Sequence, residues 1–446
     1  MPPPCASTIL KQIDKGRFSL GSISMTKRVL VLGADGFIGR HFAFELRQSG
    51  FQVIASARHT ARLERMGFET LPADLTNPAT HDPAFWRSAL ANDTCIVNAA
   101  GLLTGSDSEF HAVHVAAPAA AYAALTGTGV LISAIGIGTD TNFARYRREG
   151  ERLALACSKI TILRPGLVLG DTSYGGSSLL RALAAFPSAT PVIGTGNQRF
   201  NPIHVTDLAQ LVKDLLSCPV SPGPHAVGGP EIIVMADLLA LYRRWFGLPA
   251  TRVLSLPLPL ARVLGRLGDA MRLGPVSATA VAQLESGVLA TPTTLSDQMG
   301  FKPRAASEFV AHRPAGTQDL WHARLYLLRP LLRLTLAFLW LASGLAGLFL
   351  PPASFIPLLT GGFLSDPVLL GLARAGGLAD LGIALALMRN WRPRQLALLQ
   401  LLLIGGYTVG LTVLAPSLWL DPFGGILKNL PISALVLVTL ALSEER

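Results

Sequence analysis

The apolar positions of this 446-residue chain follow two regimes. Up to about residue 310 they come in short runs, such as Val29-Leu30-Val31-Leu32, Val53-Ile54-Ala55, Ile96-Val97, Val130-Leu131-Ile132 and Ile162-Leu163. Short, mostly branched runs closed by small or polar residues predict buried parallel strands. Between them lie stretches with helical spacing, among them His41 to Gln48 with Phe42 and Leu46, and Glu109 to Leu125. Strands alternating with helices predict an α/β domain built on a doubly wound parallel sheet. From Leu331 the pattern changes. Four apolar segments of spanning length, 331–350, 367–388, 395–414 and 424–442, predict an all-α four-helix transmembrane bundle. The expected division is an N-terminal extension without structure over 1–24, a domain over 25–310, a linker over 311–329 and the membrane domain over 330–446. Residues 1–24 hold Pro2-Pro3-Pro4 and no long apolar core, so they do not read as a signal peptide, and Met25 is a candidate natural start.

The first strand leads into Gly33-Ala34-Asp35-Gly36-Phe37-Ile38-Gly39, and a helix follows at once. In such a loop one glycine permits the tight turn, one lets the backbone approach a pyrophosphate, and one lets helix and strand pack closely. Free N–H groups at the helix start then meet phosphate charge. About twenty residues on, a carboxylate would bind the ribose hydroxyls of NAD, whereas an arginine accommodates the 2′-phosphate of NADP. Arg58 stands there at the end of the second strand, which favours NADP with NAD as the alternative; an ordinary surface arginine is the other reading.

The G-x-x-G-x-x-G spacing resembles that of the extended and atypical short-chain dehydrogenase/reductases. The likeness continues through Ala73-Asp74-Leu75, Val97-Asn98-Ala99-Ala100-Gly101, Ser133-Ala134-Ile135-Gly136, Leu163-Arg164-Pro165-Gly166 and Pro202-Ile203-His204-Val205-Thr206-Asp207, over roughly residues 26–305. The resemblance implies a Rossmann domain with a small helical cap over 236–300. It implies adenine contact at Asp74 and Leu75, although Asp74 also suits a helix cap. It places Ala99, Ala100 and Gly101 beside the cofactor and Arg164 and Pro165 at the nucleotide edge. Residues 171–200 would cover the substrate, with Arg199, His204 and Asp207 at the base of the pocket. Ser133 matches the serine that hydrogen-bonds the reacting carbonyl. The family then sets a tyrosine and a lysine four apart, the lysine lowering the tyrosine pKa for proton transfer. This chain departs from that pattern, because Tyr146 is followed at the fourth position by Gly150. A second register puts Phe143 at the tyrosine place and Arg147 at the lysine place. Tyr146 is then the available hydroxyl and Arg147 a fixed charge that cannot relay a proton.

Half the residues are hydrophobic and 15% are charged, too apolar for an ordinary soluble chain. The net charge of +10 fits an anionic lipid surface, and no nucleic-acid motif accompanies it, so the expected partner is the bilayer. Cys5, Cys95, Cys157 and Cys218 lack paired metal-type spacing, and no metal is expected. Arg262 and Arg266, one turn apart on an apolar stretch, suit either a bilayer surface or packing within the cap. Arg324, Arg329 and Arg333 flank the first span, and Arg389, Arg392 and Arg394 crowd the second connector. The connectors 351–366 and 415–423 hold no Lys or Arg, so both termini and the nucleotide domain are expected in the cytoplasm, on a cell inner membrane crossed four times.

The C-terminal third resembles the DoxX-like membrane family through Pro416-Ser417-Leu418-Trp419-Leu420-Asp421-Pro422-Phe423-Gly424 and Lys428-Asn429-Leu430-Pro431. Arg374, Asp380 and Lys428 lie inside spans, where charges are costly and face a bundle interior. Arg374 and Asp380 are six apart and should not pair, leaving Asp380 to accept from Tyr407 or a cation elsewhere, as interhelical glue or as part of a quinone or substrate site. The expected function is a membrane-anchored NAD(P)(H)-binding oxidoreductase acting at the cytoplasmic face on a lipophilic carbonyl or quinone-linked substrate. The alternative is a catalytically silent nucleotide-binding scaffold or sensor, related to the nucleotide-binding accessory subunit of respiratory complex I.

Overall fold

The computed structural model describes residues 27–220, 222–271, 278–286, 288–291, 294–359, 364–422 and 424–443. The expected extension and the start at Met25 lie outside these residues. The chain forms two compact units, one from residues up to 177, 190–258 and 279–315, the other from 178–189, 259–278 and 316–446.

The first unit is organised by a seven-stranded parallel sheet: β1 (Arg28–Leu32), β2 (Gln52–Ala57), β3 (Glu69–Pro72), β4 (Cys95–Asn98), β5 (Gly129–Ile132), β6 (Ile160–Pro165) and β7 (Pro224–Val227). Their spatial order is β7-β6-β5-β4-β1-β2-β3, and every neighbouring pair is parallel. β1 shows why the apolar run is unbroken. Val29 and Val31 face one core, Leu30 and Leu32 the other, and none is more than 1% exposed. On one face, helices α1 (Phe37–Gln48), through Phe42 and Leu46, and Val205–Ser217, through Leu208, Leu211, Val212 and Leu215, close the core. On the other, Trp86, Val113, Ala117, Ala120, Tyr122 and Ala154 do so. Helices on both faces of a parallel sheet make this the doubly wound α/β fold expected.

Several local expectations are revised. The helix expected over 109–125 runs from 107 to 123 and carries a π-helical turn at Ala112–Ala116. Residues 171–200 are not a bare covering loop, since they contain a helix at Gly176–Ala184 and a strand at Thr190–Ile193. That strand pairs in parallel with Val253–Leu256, a stretch expected within the helical cap. Glycine and serine in the segment signalled a loop, but Leu179, Leu180 and Leu183 keep helical spacing.

Among its described residues the second unit holds three helices long and apolar enough to cross a membrane: Thr317–Phe349, Asp366–Met388 and Pro393–Leu414. The first begins well before the expected span, so residues 317–329 of the expected linker are already helical. The fourth expected span is shorter, an apolar stretch Ile426–Leu442 whose α-helical part is Asn429–Leu442. At about 1.5 Å per residue that helix measures roughly 21 Å, less than the ~30 Å hydrocarbon layer. Leu336, Trp340, Ile383, Leu387, Ile404 and Val436 join the helices in one apolar core. The helix Leu258–Ala270 also falls mainly in this unit; it buries Ala261, Gly265 and Gly268 and turns Leu260, Val263, Leu264 and Leu267 outward beside Arg262 and Arg266.

Candidate functional site: the crevice at the sheet's carboxyl edge

β1 and β4 are neighbours, yet the chain leaves β1 towards one face and β4 towards the other. Ligands of open α/β sheets bind in the crevice opened by such a reversal. The glycine loop lies in it. Gly33 adopts φ +74°, and the N–H groups of Gly33 and Ala34 both donate to the Ser56 carbonyl at 3.0 Å. A Cβ on Gly33 would stand 2.9 Å from Cα of Ala100, and one on Gly39 would stand 2.1 Å from the Gly33 oxygen. These two glycines therefore serve close packing. Gly36 differs: its added Cβ would meet only the Gly33 oxygen, at 3.1 Å, so its outer side is open. Gly36 is the N-cap of α1, no side chain caps that helix, and its first turn carries no acidic residue. The leading N–H groups, from Phe37 and Ile38 onward, thus face the opening without a competing carboxylate, a ready anion site. Arg40 Nη2 donates to the Asp35 carbonyl at 2.7 Å and fixes the loop.

The adenosine side is set by the ends of β2 and β3. Ala57 is buried and Arg58, next along, is exposed. Asp74, also exposed, accepts from the Thr76 N–H at 3.0 Å and the Thr76 hydroxyl at 2.8 Å. The Thr76 backbone bond, helped by the nearby Arg58 cation, holds its carboxyl below the usual range. Leu75 is buried in the core and supplies its carbonyl to His81 Nε2. After β4, Asn98 Oδ1 accepts from the Ala100 N–H, Asn98 Nδ2 donates to the Tyr122 hydroxyl, and the Ala99 N–H donates to Leu32. This ties the Ala99-Ala100-Gly101 floor to β1.

The expected catalytic residues separate. Helix α2 (Asn142–Ala156) presents Phe143, Arg147 and Glu151 along one face. Arg147 Nη1 donates to the Ile132 carbonyl at the end of β5 at 2.9 Å, and a Cβ on Gly101 would stand 2.3 Å from Arg147 Nη2. Phe143 is 5% exposed and lies under the Arg147 guanidinium, 5.6 Å from ring centre to Cζ. Phe143 and Arg147 thus lie together on the inward side of α2. Tyr146 points elsewhere: its hydroxyl accepts from Arg145 Nη2 at 3.1 Å, and Arg145 pairs with Asp107 on the exposed side. Gly150, four residues after Tyr146, has no room for a side chain, because a Cβ there would meet the His114 carbonyl at 2.3 Å. Arg164 is also spoken for. It makes a two-armed ion pair with Glu151, whose side chain is 4% exposed, and that bond raises its pKa. Pro165 acts through its carbonyl, which accepts from Ile135.

Ser133 Oγ and Arg147 Nε are enclosed and lack partners among the described residues. Burial pulls the Arg147 pKa down to about 10, which leaves it a cation at neutral pH. His114, stacked on Phe110, is driven down to about 3 by burial and then by Arg147, so it is a neutral ring. A glycine cradle that side chains would fill, an uncapped helix start and orphaned polar atoms fit a dinucleotide laid from β2 across to β5. Arg199 stands exposed, while His204 and Asp207 share a partner that sequence reading missed. Arg304 reaches both, bonding Asp207 from its Nε and Nη2 and His204 Nδ1 from Nη2 at 2.8 Å. No local signal marks Arg304, which is 97 residues from Asp207.

Residues 29–122 match the NAD dependent epimerase/dehydratase family, and residues 337–437 match the DoxX-like family. Over 280 residues the chain is 26% identical to NADH dehydrogenase [ubiquinone] 1 alpha subcomplex subunit 9, mitochondrial, of Arabidopsis thaliana, covering 57% of this chain and 66% of that protein. It is 26% identical over 274 residues to the chloroplastic epimerase family protein SDR39U1 homolog of the same plant, covering 54% of this chain and 76% of the other. Among solved structures, a dTDP-glucose 4,6-dehydratase from Bacillus anthracis in complex with NAD superposes with a TM-score of 0.50 at 12% identity, over 64% of this chain and 96% of that one. The ADP-L-glycero-D-manno-heptose-6-epimerase of Helicobacter pylori gives 0.50 at 13%, over 64% and 94%. At such identities these two show a shared fold. The chain thus joins an epimerase-like nucleotide-binding domain to a DoxX-like helical segment, and that segment with its apolar helices indicates a membrane protein.

Proposed function

We propose that the protein holds an NAD(P) dinucleotide at the cytoplasmic face of an inner membrane and uses it as a bound, state-reporting ligand, without tyrosine-dependent turnover. The observation that carries the reading is the pairing of Phe143 with Arg147 against Ile132 and Gly101. Phenylalanine cannot donate a proton, and arginine cannot relay one at neutral pH. A bound NAD(P)H would supply a hydride, but the residues beside it can only orient and polarise. Arg58, with no carboxylate at the end of β2, supports NADP over NAD. The likeness to a protein named as a subunit of an NADH dehydrogenase also fits a nucleotide held within a larger assembly. The arginines at 389, 392 and 394, against connectors without Lys or Arg, support cytoplasmic placement of the crevice. The outward leucines of the helix Leu258–Ala270 support a further contact with the bilayer surface.

A second reading, reduction of a lipophilic carbonyl, is favoured by Ser133 Oγ, which is enclosed and unpartnered and could polarise an oxygen. One experiment separates the two. The full chain is purified in detergent, its retained nucleotide is identified by mass spectrometry, and NADPH oxidation is followed with lipophilic carbonyls and quinones. Retained nucleotide without oxidation above a Ser133→Ala control is expected. Oxidation that Ser133→Ala abolishes would overturn the ligand reading.

A further inference from the structure

Far from the crevice in sequence, the second unit contains a groove of about 280 Å³ lined by Ser343, Gly347, Leu350, Phe355, Leu372 and Gly376, with Asp380 and Tyr407 at its polar end. Asp380 is 3% exposed. One carboxylate oxygen accepts from the Ser343 hydroxyl at 2.6 Å and the other from the Tyr407 hydroxyl at 2.9 Å. Eight residues separate Asp380 from the end of its helix at Met388, roughly 12 Å along the axis, so the carboxyl lies deep within the span.

Three observations say this is more than interhelical glue. First, no cation pairs with Asp380 among the described residues. Arg374, on the same helix, spends its guanidinium on the carbonyls of Gly347 and Leu350, at 2.8 and 3.0 Å. Asp380 thus has one neutral hydroxyl donor on each oxygen, and each oxygen can accept a further hydrogen bond. Second, the groove is held open by absent side chains. A Cβ on Gly376 would come 3.0 Å from the Tyr407 hydroxyl. Third, Ser343 at the groove's edge is exposed, as are Leu350 and Leu372, so entry is from the side that hydrocarbon would cover. Apart from the carboxyl and two hydroxyls, the walls are apolar.

We infer that this groove binds a lipid-soluble molecule bearing a hydroxyl on a flat ring, which enters laterally and donates that hydroxyl hydrogen to Asp380. The space of about 280 Å³ between Gly347 and Gly376 and the rim of Leu350, Phe355 and Leu372 is of the size of a substituted ring. A hydroxyl can donate to the acceptor position still open on a carboxyl oxygen, as an ether or a hydrocarbon cannot. The inference is independent of the nucleotide reading.

The test uses the full chain in nanodiscs of phosphatidylcholine and phosphatidylglycerol, with tritiated 4-heptylphenol as probe and 4-heptylanisole as competitor. The two molecules differ in the hydroxyl hydrogen. Saturable phenol binding above empty discs is expected, with the anisole competing at least about ten-fold more weakly. Asp380→Asn is expected to lower phenol affinity about ten-fold. Ala346 also lines the groove, and Ala346→Phe, which leaves the carboxyl in place, is expected to abolish binding, which keeps the test decisive if Asp380→Asn does not fold. Equal competition by the anisole, full binding by Ala346→Phe, or no saturable binding at all overturns the inference. So does a change of oligomeric state in Ala346→Phe, which would assign the groove to a second copy of the chain.

Discussion

Gly36→Asp and Gly39→Ala alter one loop three residues apart and should fail in opposite ways. Gly36 has φ −72° and ψ 170°, an extended N-cap conformation open to any residue. Aspartate there caps a helix at least as well as glycine, by a few tenths of a kcal/mol, which offsets the small shift its Cβ, 3.1 Å from the Gly33 oxygen, asks of that carbonyl, so the nucleotide-free fold should weaken little. Its carboxylate would stand where a pyrophosphate must approach. Two unit charges about 5 Å apart at an effective dielectric near 20 repel by ~3 kcal/mol, about a hundred-fold in affinity. Gly39→Ala does the reverse. Its Cβ would lie 2.1 Å from the Gly33 oxygen and 2.8 Å from the Gly33 carbon, both backbone atoms. Helix and strand must part, at a cost on the order of 1–3 kcal/mol. For a domain of this size that corresponds to a Tm lower by roughly 3–10 °C. Differential scanning fluorimetry of the nucleotide-free chain and calorimetric titration with NADPH measure the two effects separately. The assignment of Gly36 to the phosphate and Gly39 to packing fails if Gly36→Asp keeps its affinity, or if Gly39→Ala melts with the unaltered protein.

Arg58→Ala should weaken NADPH at least ten-fold more than NADH, and equal losses by calorimetry would make Arg58 an ordinary surface residue. Arg164→Ala should cost on the order of 3 kcal/mol in denaturant unfolding, because it strands buried Glu151, while leaving NADPH affinity within a few-fold. His204 has its pKa lowered to about 4, first by burial and then by Arg304, below its ordinary 6.5. Its contribution is therefore full above pH 6.5 and is lost as pH falls towards 4, where the unfolded chain takes the proton first. His204→Gln should flatten the fall in Tm over that window, and an unchanged slope would refute the role. Reporters active only outside the cytoplasm should give signal after Leu418 and none after Trp391 or at the C-terminus; signal at Trp391 would invert the orientation.

The sheet and the glycine loop were legible in sequence because their signals are local. β1 is buried on both faces, so every position must be apolar, and the alternation of strand and helix follows from chain connectivity. The loop glycines are spaced by the turn they make. The apolar helices were legible for the same reason, since hydrocarbon filters composition residue by residue, although Asn429–Leu442 shows that composition does not set helix length. What the sequence could not decide was every choice made by partners distant along the chain. Which side chains of α2 turn inward was open on paper; the fold sets Phe143 and Arg147 against the Ile132 carbonyl and Gly101, and Gly150 against the His114 carbonyl. The ion pair of Arg164 with Glu151 had no signal in the sequence, and neither had Arg304 until folding brought it to Asp207 and His204. Asp380 was readable as a costly charge, but its donors and groove depend on three helices converging. Periodicity fixes which face of an element is buried, whereas side-chain pairing is settled by packing between elements, and only the assembled fold specifies that packing.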